Sequence, residues 1–350
     1  MSYRFFRRIR IAPGISLNLS KGGMSVSAGP PGAKFTVGTR GTRATISLPG
    51  TGLSYTVSDP LGQARSGTQR RSDPVPASRR PTLGFFERLI TPAHEKSFVD
   101  GLDALSDGRQ AEALRLMEAA LDQDVTMADA AWLAGFMRLK LEHLDTAARH
   151  FQLALQHSQS LGQMFGQYGL TPRTSLPVTP EVTADMKPSA QSTLLGLVEV
   201  LQLQGHDSEA VAHLETLLTR QADDPVALAS YAELVLDMED QNRWHRVVEL
   251  TAPVDNDTAI HTAVLLLRGK ALVRLGMDHA AEGVFTTALR RTRDRAETLL
   301  HEIRYQRALV YERLGKRVQA RRELERMYAE DPGFEDVAQR LGMNAVVSTV

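Results

Sequence analysis

The residues able to do chemistry in this chain are scattered, and their spacings match none of the common reactive arrangements. His94-Glu95 opens a helical zinc motif of the HExxH kind, but Phe98 stands where the second histidine belongs. His143 and His150 are seven residues apart, as are His206 and His213, so each pair can share a helix face. Two imidazoles alone do not complete a metal site. Asp122, Asp124 and Asp129 are too irregular for a calcium loop. Asp237, Glu239 and Asp240 read as a solvated turn. The chain has no cysteine, which excludes disulfides and thiol catalysis. It also lacks GxxxxGK, GxGxxG after a strand, and the GxSxG elbow. The expectation is a protein that is not an enzyme, with no cofactor and no metal.

The charged residues are more informative as a distribution. The formal net charge is zero, with 41 bases and 41 acids. Residues 1–90 nevertheless hold fourteen Lys or Arg against three acids, Asp59, Asp73 and Glu87. The remainder holds 27 bases against 38 acids, so an excess of eleven positive charges faces an equal negative one. The eight bases before residue 58 are Arg4, Arg7, Arg8, Arg10, Lys21, Lys34, Arg40 and Arg43, and no acid accompanies them. They are the candidate anion-contacting residues, toward nucleic acid or an anionic membrane surface. The alternative is attraction between the two halves of the chain.

Two kinds of element must carry these residues. Up to residue 57 the apolar period is two: Ile15, Leu17, Leu19; Met24, Val26, Ala28; Phe35, Val37; Ala44, Ile46, Leu48; Leu53, Tyr55, Val57. Pro13-Gly14, Lys21-Gly22-Gly23, Gly29 to Gly32, Gly38 to Gly41 and Pro49-Gly50 punctuate it. The spacing predicts five or six short antiparallel strands in a small β-meander over 1–57. A unit this small is marginal by itself, so self-association or docking is expected. Residues 58–91 are rich in Pro, Gly, Ser and Arg and read as a flexible linker, ending in a short amphipathic helix at 83–90.

After residue 92 the period changes. Leu265 to Leu289 is the clearest stretch: Gly269, Ala281, Phe285 and Ala288 punctuate two helices joined at Gly276-Met277-Asp278. A glycine inside a helix costs about 1 kcal/mol relative to alanine, so Gly269 implies close approach of a neighbour. Equivalent small and large positions recur as Gly101, Ala113 and Ala120; Gly135, Ala147, Phe151 and Ala154; Ala210; Ala308 and Ala320. These are the expected repeat-packing residues. A fourth unit near Tyr231 to Val254 is degenerate, with Asp240-Gln241-Asn242 in place of the turn glycine and Val247 in place of the alanine. Residues 334–341 read as a terminal capping helix, and 343–350 as a tail.

The spacing of about 34 residues resembles the tetratricopeptide repeat. The resemblance implies a mainly α chain, a right-handed helical-hairpin solenoid over 92–342, with a concave groove that holds a protein or peptide partner. Groove candidates on first helices are Arg138, Tyr231, Arg268, Arg304 and Arg307. The run from Ile11 to Val57, with LNLSKGG at 17–23, GTRG at 38–41 and LPGTGLSY at 48–55, resembles a bacterial domain-of-unknown-function family, number 4236. That resemblance implies a bacterial or phage origin and no particular activity.

An insertion at 158–190, with four prolines, interrupts the array. It could fold back into the groove as a pseudo-ligand, or extend the second helix of repeat two and cross to repeat three. The second reading is adopted, because loop insertions cost little closure entropy. No run approaches the ~20 apolar residues of a membrane-spanning helix, and the start lacks the ~7–15-residue apolar core of a secretory signal. The expected function is a cytoplasmic protein-interaction scaffold. The rivals are a nucleic-acid-associated factor and a peripheral membrane-surface module, both using residues 1–90.

Overall fold

The computed structural model describes the backbone of 15–20, 23–28, 33–38, 41–47 and 53–58, and then residues 90–343. Residues 59–89, including most of the expected helix at 83–90, lie outside the described residues, as does the tail from 344. The chain divides into two compact units, 1–176 with 184–213, and 177–183 with 214–350.

The N-terminal strands are β1 (Ile15–Ser20), β2 (Gly23–Ala28), β3 (Ala33–Gly38), β4 (Gly41–Ser47) and β5 (Leu53–Ser58). Each pairs antiparallel with the next. The register sets Leu17 opposite Val26, Val26 opposite Val37, Phe35 opposite Ala44, and Ile46 opposite Tyr55. The period-two alternation therefore stays in phase from strand to strand, which is what a one-residue slip would destroy. Two further strands, β6 (Arg173–Thr179) and β7 (Val182–Met186), come from the insertion and extend the sheet in the order β1 to β7. β5 meets β6 through Leu53 opposite Thr174 and Ser54 opposite Arg173.

The helices form a tetratricopeptide-like array of helical hairpins. First helices are α1 (Ala93–Ser106), α3 (Ala128–Lys140), α6 (Ala190–Leu203), α8 (Pro225–Leu236), α10 (Ala259–Arg274) and α12 (Glu297–Arg313). Their partners are α2 (Gln110–Gln123), α4 (Leu144–Gln156), α7 (Asp207–Arg220), α9 (Gln241–Thr251), α11 (Asp278–Ala288) and α13 (Arg317–Glu330). Short helices α5 (Gln163–Gln167) and α14 (Val337–Arg340) complete the described set.

Local chemistry explains the boundaries. Ser189 and Ser192 form a reciprocal capping box on α6, Asp224 caps α8 with Pro225 at the first position, and Thr258 caps α10. In the degenerate repeat Asp240 accepts from the amides of Asn242 and Arg243, so a side-chain cap replaces the glycine turn. Gly276 turns the chain at φ +73°, whereas Glu142 occupies the equivalent corner between α3 and α4 at φ +58°. The terminal helix is shorter than expected, four residues instead of eight. Its Asp336 is engaged by the Tyr305 hydroxyl at 2.7 Å and by Arg340 at 2.8 Å, while Phe334 packs edge-on against Tyr305.

The small positions are where helices touch. Ala113, Ala120, Ala147, Ala154, Ala210, Ala281, Ala288 and Ala308 are fully buried, and Ala320 nearly so. A Cβ on Gly101 would meet Met117 at 2.6 Å, and one on Gly135 would meet the Phe151 ring at 2.7 Å. At Gly196, which the pattern reading passed over, an added Cβ would meet the same Phe151 ring at 2.7 Å and Phe136 at 3.1 Å. Phe151 is thus clasped between glycines of two first helices. The first unit's core adds Trp132, edge-on to Phe136 and Phe165, with its Nε1 donating to Ser192 Oγ at 3.1 Å.

The insertion corrects the reading adopted for it. It does not simply lengthen α4 and cross over. It folds as α5 and the β6–β7 hairpin. Asp129, 1 % exposed, accepts from the Gly162 amide at 2.5 Å and the Phe165 amide at 3.1 Å, fixing the start of α5. The hairpin's 177–183 segment belongs to the second unit, where Val182 joins the core cluster of Ala263, Leu266, Phe285 and Ile303.

Candidate functional site

In the second unit the first helices α8, α10 and α12 carry three charged groups, and the hairpin turn brings a fourth to them. Lys270 on α10 donates to Glu302 on α12, 2.7 Å away, and also feels Glu233 on α8 and Glu181 from the hairpin. Burial alone would lower the lysine pKa, but these carboxylates outweigh it and raise it. Glu181 moves upward too, chiefly through burial, with Glu302 adding repulsion and Lys270 and Thr179 partly offsetting both. The Thr179 hydroxyl donates to Glu181 Oε2 at 2.9 Å. Val182, beside Glu181, is 6 % exposed within the cluster of α10 and α12. The hairpin turn thus sets Glu181 near the Lys270–Glu302 pair and Val182 in the apolar cluster of α10 and α12. None of Lys270, Glu233, Glu302 or Glu181 was singled out from the sequence. They are separated by up to 121 positions, and no local spacing links them.

The five groove candidates have other duties. Arg138 grips both oxygens of Glu118 on α2 at 2.7 Å and contacts His143 Nδ1 at 2.9 Å. Tyr231 is 1 % exposed, its hydroxyl 3.4 Å from Glu215 and its pKa raised to about 12, first by burial and then by Glu215. Arg304 is 8 % exposed and bonded to Glu330 at 2.6 Å. Tyr231 and Arg304 are therefore packed inside the array, a correction to their reading as groove contacts. Arg307 pairs with Glu323 and lies over the Tyr311 ring. Arg268 edges a shallow cleft of about 400 Å³ walled by Val248, Val254, Leu265, Leu272 and Val284, from α9, α10 and α11 and the loop after α9. Its Nη1 donates to the Ala252 carbonyl at 3.3 Å, and its Nε has no partner among the described residues.

His143, His150 and His206 of the two pairs meet protein side chains. His150 contacts Glu118 at 3.2 Å and His143 contacts Arg138, so that pair flanks an ion-paired cluster. His206 faces Glu209 at 3.7 Å. Among the described residues there is no group of three or more His, Asp or Glu placed to hold a metal, and no helix is long and apolar enough to cross a membrane. Of the basic N-terminal set, Arg4, Arg7, Arg8, Arg10, Lys21 and Arg40 lie outside the described residues. Lys34 and Arg43 lie on β3 and β4, opposite Thr45 and Thr36 respectively.

Stacked helical hairpins with glycine-to-aromatic contacts define a tetratricopeptide-like array, a fold that serves in general as a protein-interaction scaffold. Residues 97–344 match the family described as the T7SS, ESX-1 secretion system protein EccA1, N-terminal domain, and the chain belongs to that family. Residues 3–56 match the family described as a protein of unknown function, DUF4236. The N-terminal domain of the EccA1 ATPase from the ESX-1 secretion system of Mycobacterium tuberculosis is similar in structure, with TM-score 0.50 and 17% identity, over 71% of this chain and 88% of that one. YrrB, a TPR protein with an unusual peptide-binding site, aligns at TM-score 0.35 and 17% identity, over 75% of this chain and 99% of that one. Pseudomonas aeruginosa pilF aligns at TM-score 0.42 and 14% identity, over 71% and 96%. No curated protein matches by sequence.

Proposed function

We propose that this chain is a non-enzymatic adaptor that holds a protein partner on the first-helix face of its array, around Lys270. The observation that carries this is the cluster on α8, α10 and α12, where an apolar seat adjoins an ion-paired lysine. Such a surface offers an orienting charge beside apolar burial, the combination that binds polypeptide segments. A secretion-system family suits a chain that holds protein clients, and membership supports that setting. The test is a photo-crosslinking amino acid at Gln306, which bonds Glu302 on α12, against a control at the exposed Val318 on α13. A discrete protein adduct from position 306 and none from 318 is expected. Equal labelling from both positions removes the reading.

The segregation of charge supports a second reading, in which residues 1–90 contact phosphate. If four to six phosphates are engaged, log K against log salt for the full chain falls with a slope of about −3 to −5. A flat response eliminates it.

A further inference from the structure

The first-helix face of the second unit is filled by the protein's own hairpin tip. Val182 is buried in one apolar cluster with Ala263, Leu266 and Ile303, so the apolar seat is taken. The neighbouring Glu181 stands close enough to Lys270 and Glu302 to feel both. Lys270 is already bonded to Glu302 and also faces Glu233. The tip therefore adds a third carboxylate to a seat that holds one cation. Attraction to Lys270 outweighs repulsion from Glu302, but burial of the carboxylate opposes its charge, so the hold rests on Lys270, on the valine and on the covalent tether. That is the arrangement of an occupant that can be replaced.

We propose that Thr179–Val182 is a resident occupant of the face formed by α8, α10 and α12, and that a protein partner displaces it. The partner presents a turn of the same chemistry, an acidic residue directly followed by valine or isoleucine. The inference rests on the reading that this face is where the array holds protein. The tether sets the competition. An intramolecular segment acts at an effective concentration on the order of 1 mM, so a free segment of ~0.1 mM intrinsic affinity is weakened about tenfold while the tip is in place.

The probe is a fluorescent peptide copying residues 173–186, read by anisotropy against the full-length protein. Glu181→Gly with Val182→Gly empties the seat. The doubly substituted protein is expected to bind the peptide about tenfold more tightly than wild type. Adding Lys270→Glu returns the affinity to the wild-type level or below, and a peptide with lysine in place of its glutamate does not bind. A second measurement needs no variant: in the wild-type protein, excess peptide speeds hydrogen exchange at the Val182 and Thr183 amides and leaves α10 protected. Equal affinity for wild-type and emptied proteins overturns the proposal. So does failure to bind an emptied protein of unchanged helical circular dichroism, or an unchanged tip under excess peptide. Crosslinking at position 306 separates the two readings. Adducts there without tip release sink the displacement alone, and tip release without adducts sinks the adaptor reading alone.

Discussion

Gly269 and Gly283 lie in the two helices of one repeat, and the same substitution should have opposite effects at the two. Alanine is favoured over glycine in a helix interior by about 1 kcal/mol. Gly283 on α11 is exposed, and a Cβ added there would have nothing within 4 Å, so Gly283→Ala should keep that full gain. Gly269 on α10 faces Phe285, and a Cβ there falls 2.5 Å from Cζ and 2.7 Å from Cδ1, closer still to Cε1. Phe285 is fully buried and cannot swing into solvent. Overpacking costs about 1–3 kcal/mol, and contacts this short on a ring that cannot move put Gly269→Ala at the upper end, about 2–3 kcal/mol; less the gain of about 1 kcal/mol, the net destabilisation should be about 1–2 kcal/mol. For a domain of this size each kcal/mol shifts the melting midpoint by about 2–4 °C. Circular-dichroism melts of the full chain should therefore rise by about 2–4 °C for Gly283→Ala and fall by about 2–8 °C for Gly269→Ala. Adding Phe285→Leu to Gly269→Ala should recover part of the loss, because the two positions are in contact and their effects are not additive. If both alanine variants raise the midpoint equally, small residues do not mark helix crossings here.

Three further outcomes follow from the same geometry. Asp129→Ala strips the Gly162 and Phe165 amides of their acceptor and should cost about 2–3 kcal/mol, seen as a lower denaturation midpoint and faster exchange at those two amides. Glu118 is held below its ordinary carboxylate range: burial opposes the charge, but bonds from Arg138 and His150 outweigh it. Its contribution should be complete above about pH 4.5 and disappear as pH falls through the lower folded value. Glu118→Gln should flatten that part of the stability profile and cost about 1 kcal/mol at neutral pH. Asn256 donates to the carbonyls of Thr287 and Ala288 at 3.0 and 2.8 Å and accepts from Thr262, which in turn receives Arg295 Nε–H. Asn256→Ala should cost about 2–3 kcal/mol, with exchange accelerating at the end of α11, whereas Asp257→Ala, one residue on and exposed, should stay within about 0.5 kcal/mol.

The helical hairpins with the faces they bury, and the five N-terminal strands, were legible in the amino-acid sequence, whereas α5, β6 and β7 were not. Period two over 15–57 and the glycine–alanine–phenylalanine spacing after 92 are local signals, because they reflect how one strand or one helix pair must present apolar groups to its neighbours. Gly269 against Phe285 could be inferred from 17 residues of chain. Gly196 could not, because its partner Phe151 lies across the insertion, and the intervening length hides the repeat register. The ion pairing of Arg138, Arg304 and Arg307 within the array emerged with the folded chain, since each carboxylate partner sits on another helix. The same holds for Val182 in the second unit's core, and for Glu181, Glu233 and Glu302 around Lys270. Periodicity reports which face of an element is apolar; it carries no information on which distant segment will cover that face, since that contact is chosen by the packing of the whole unit.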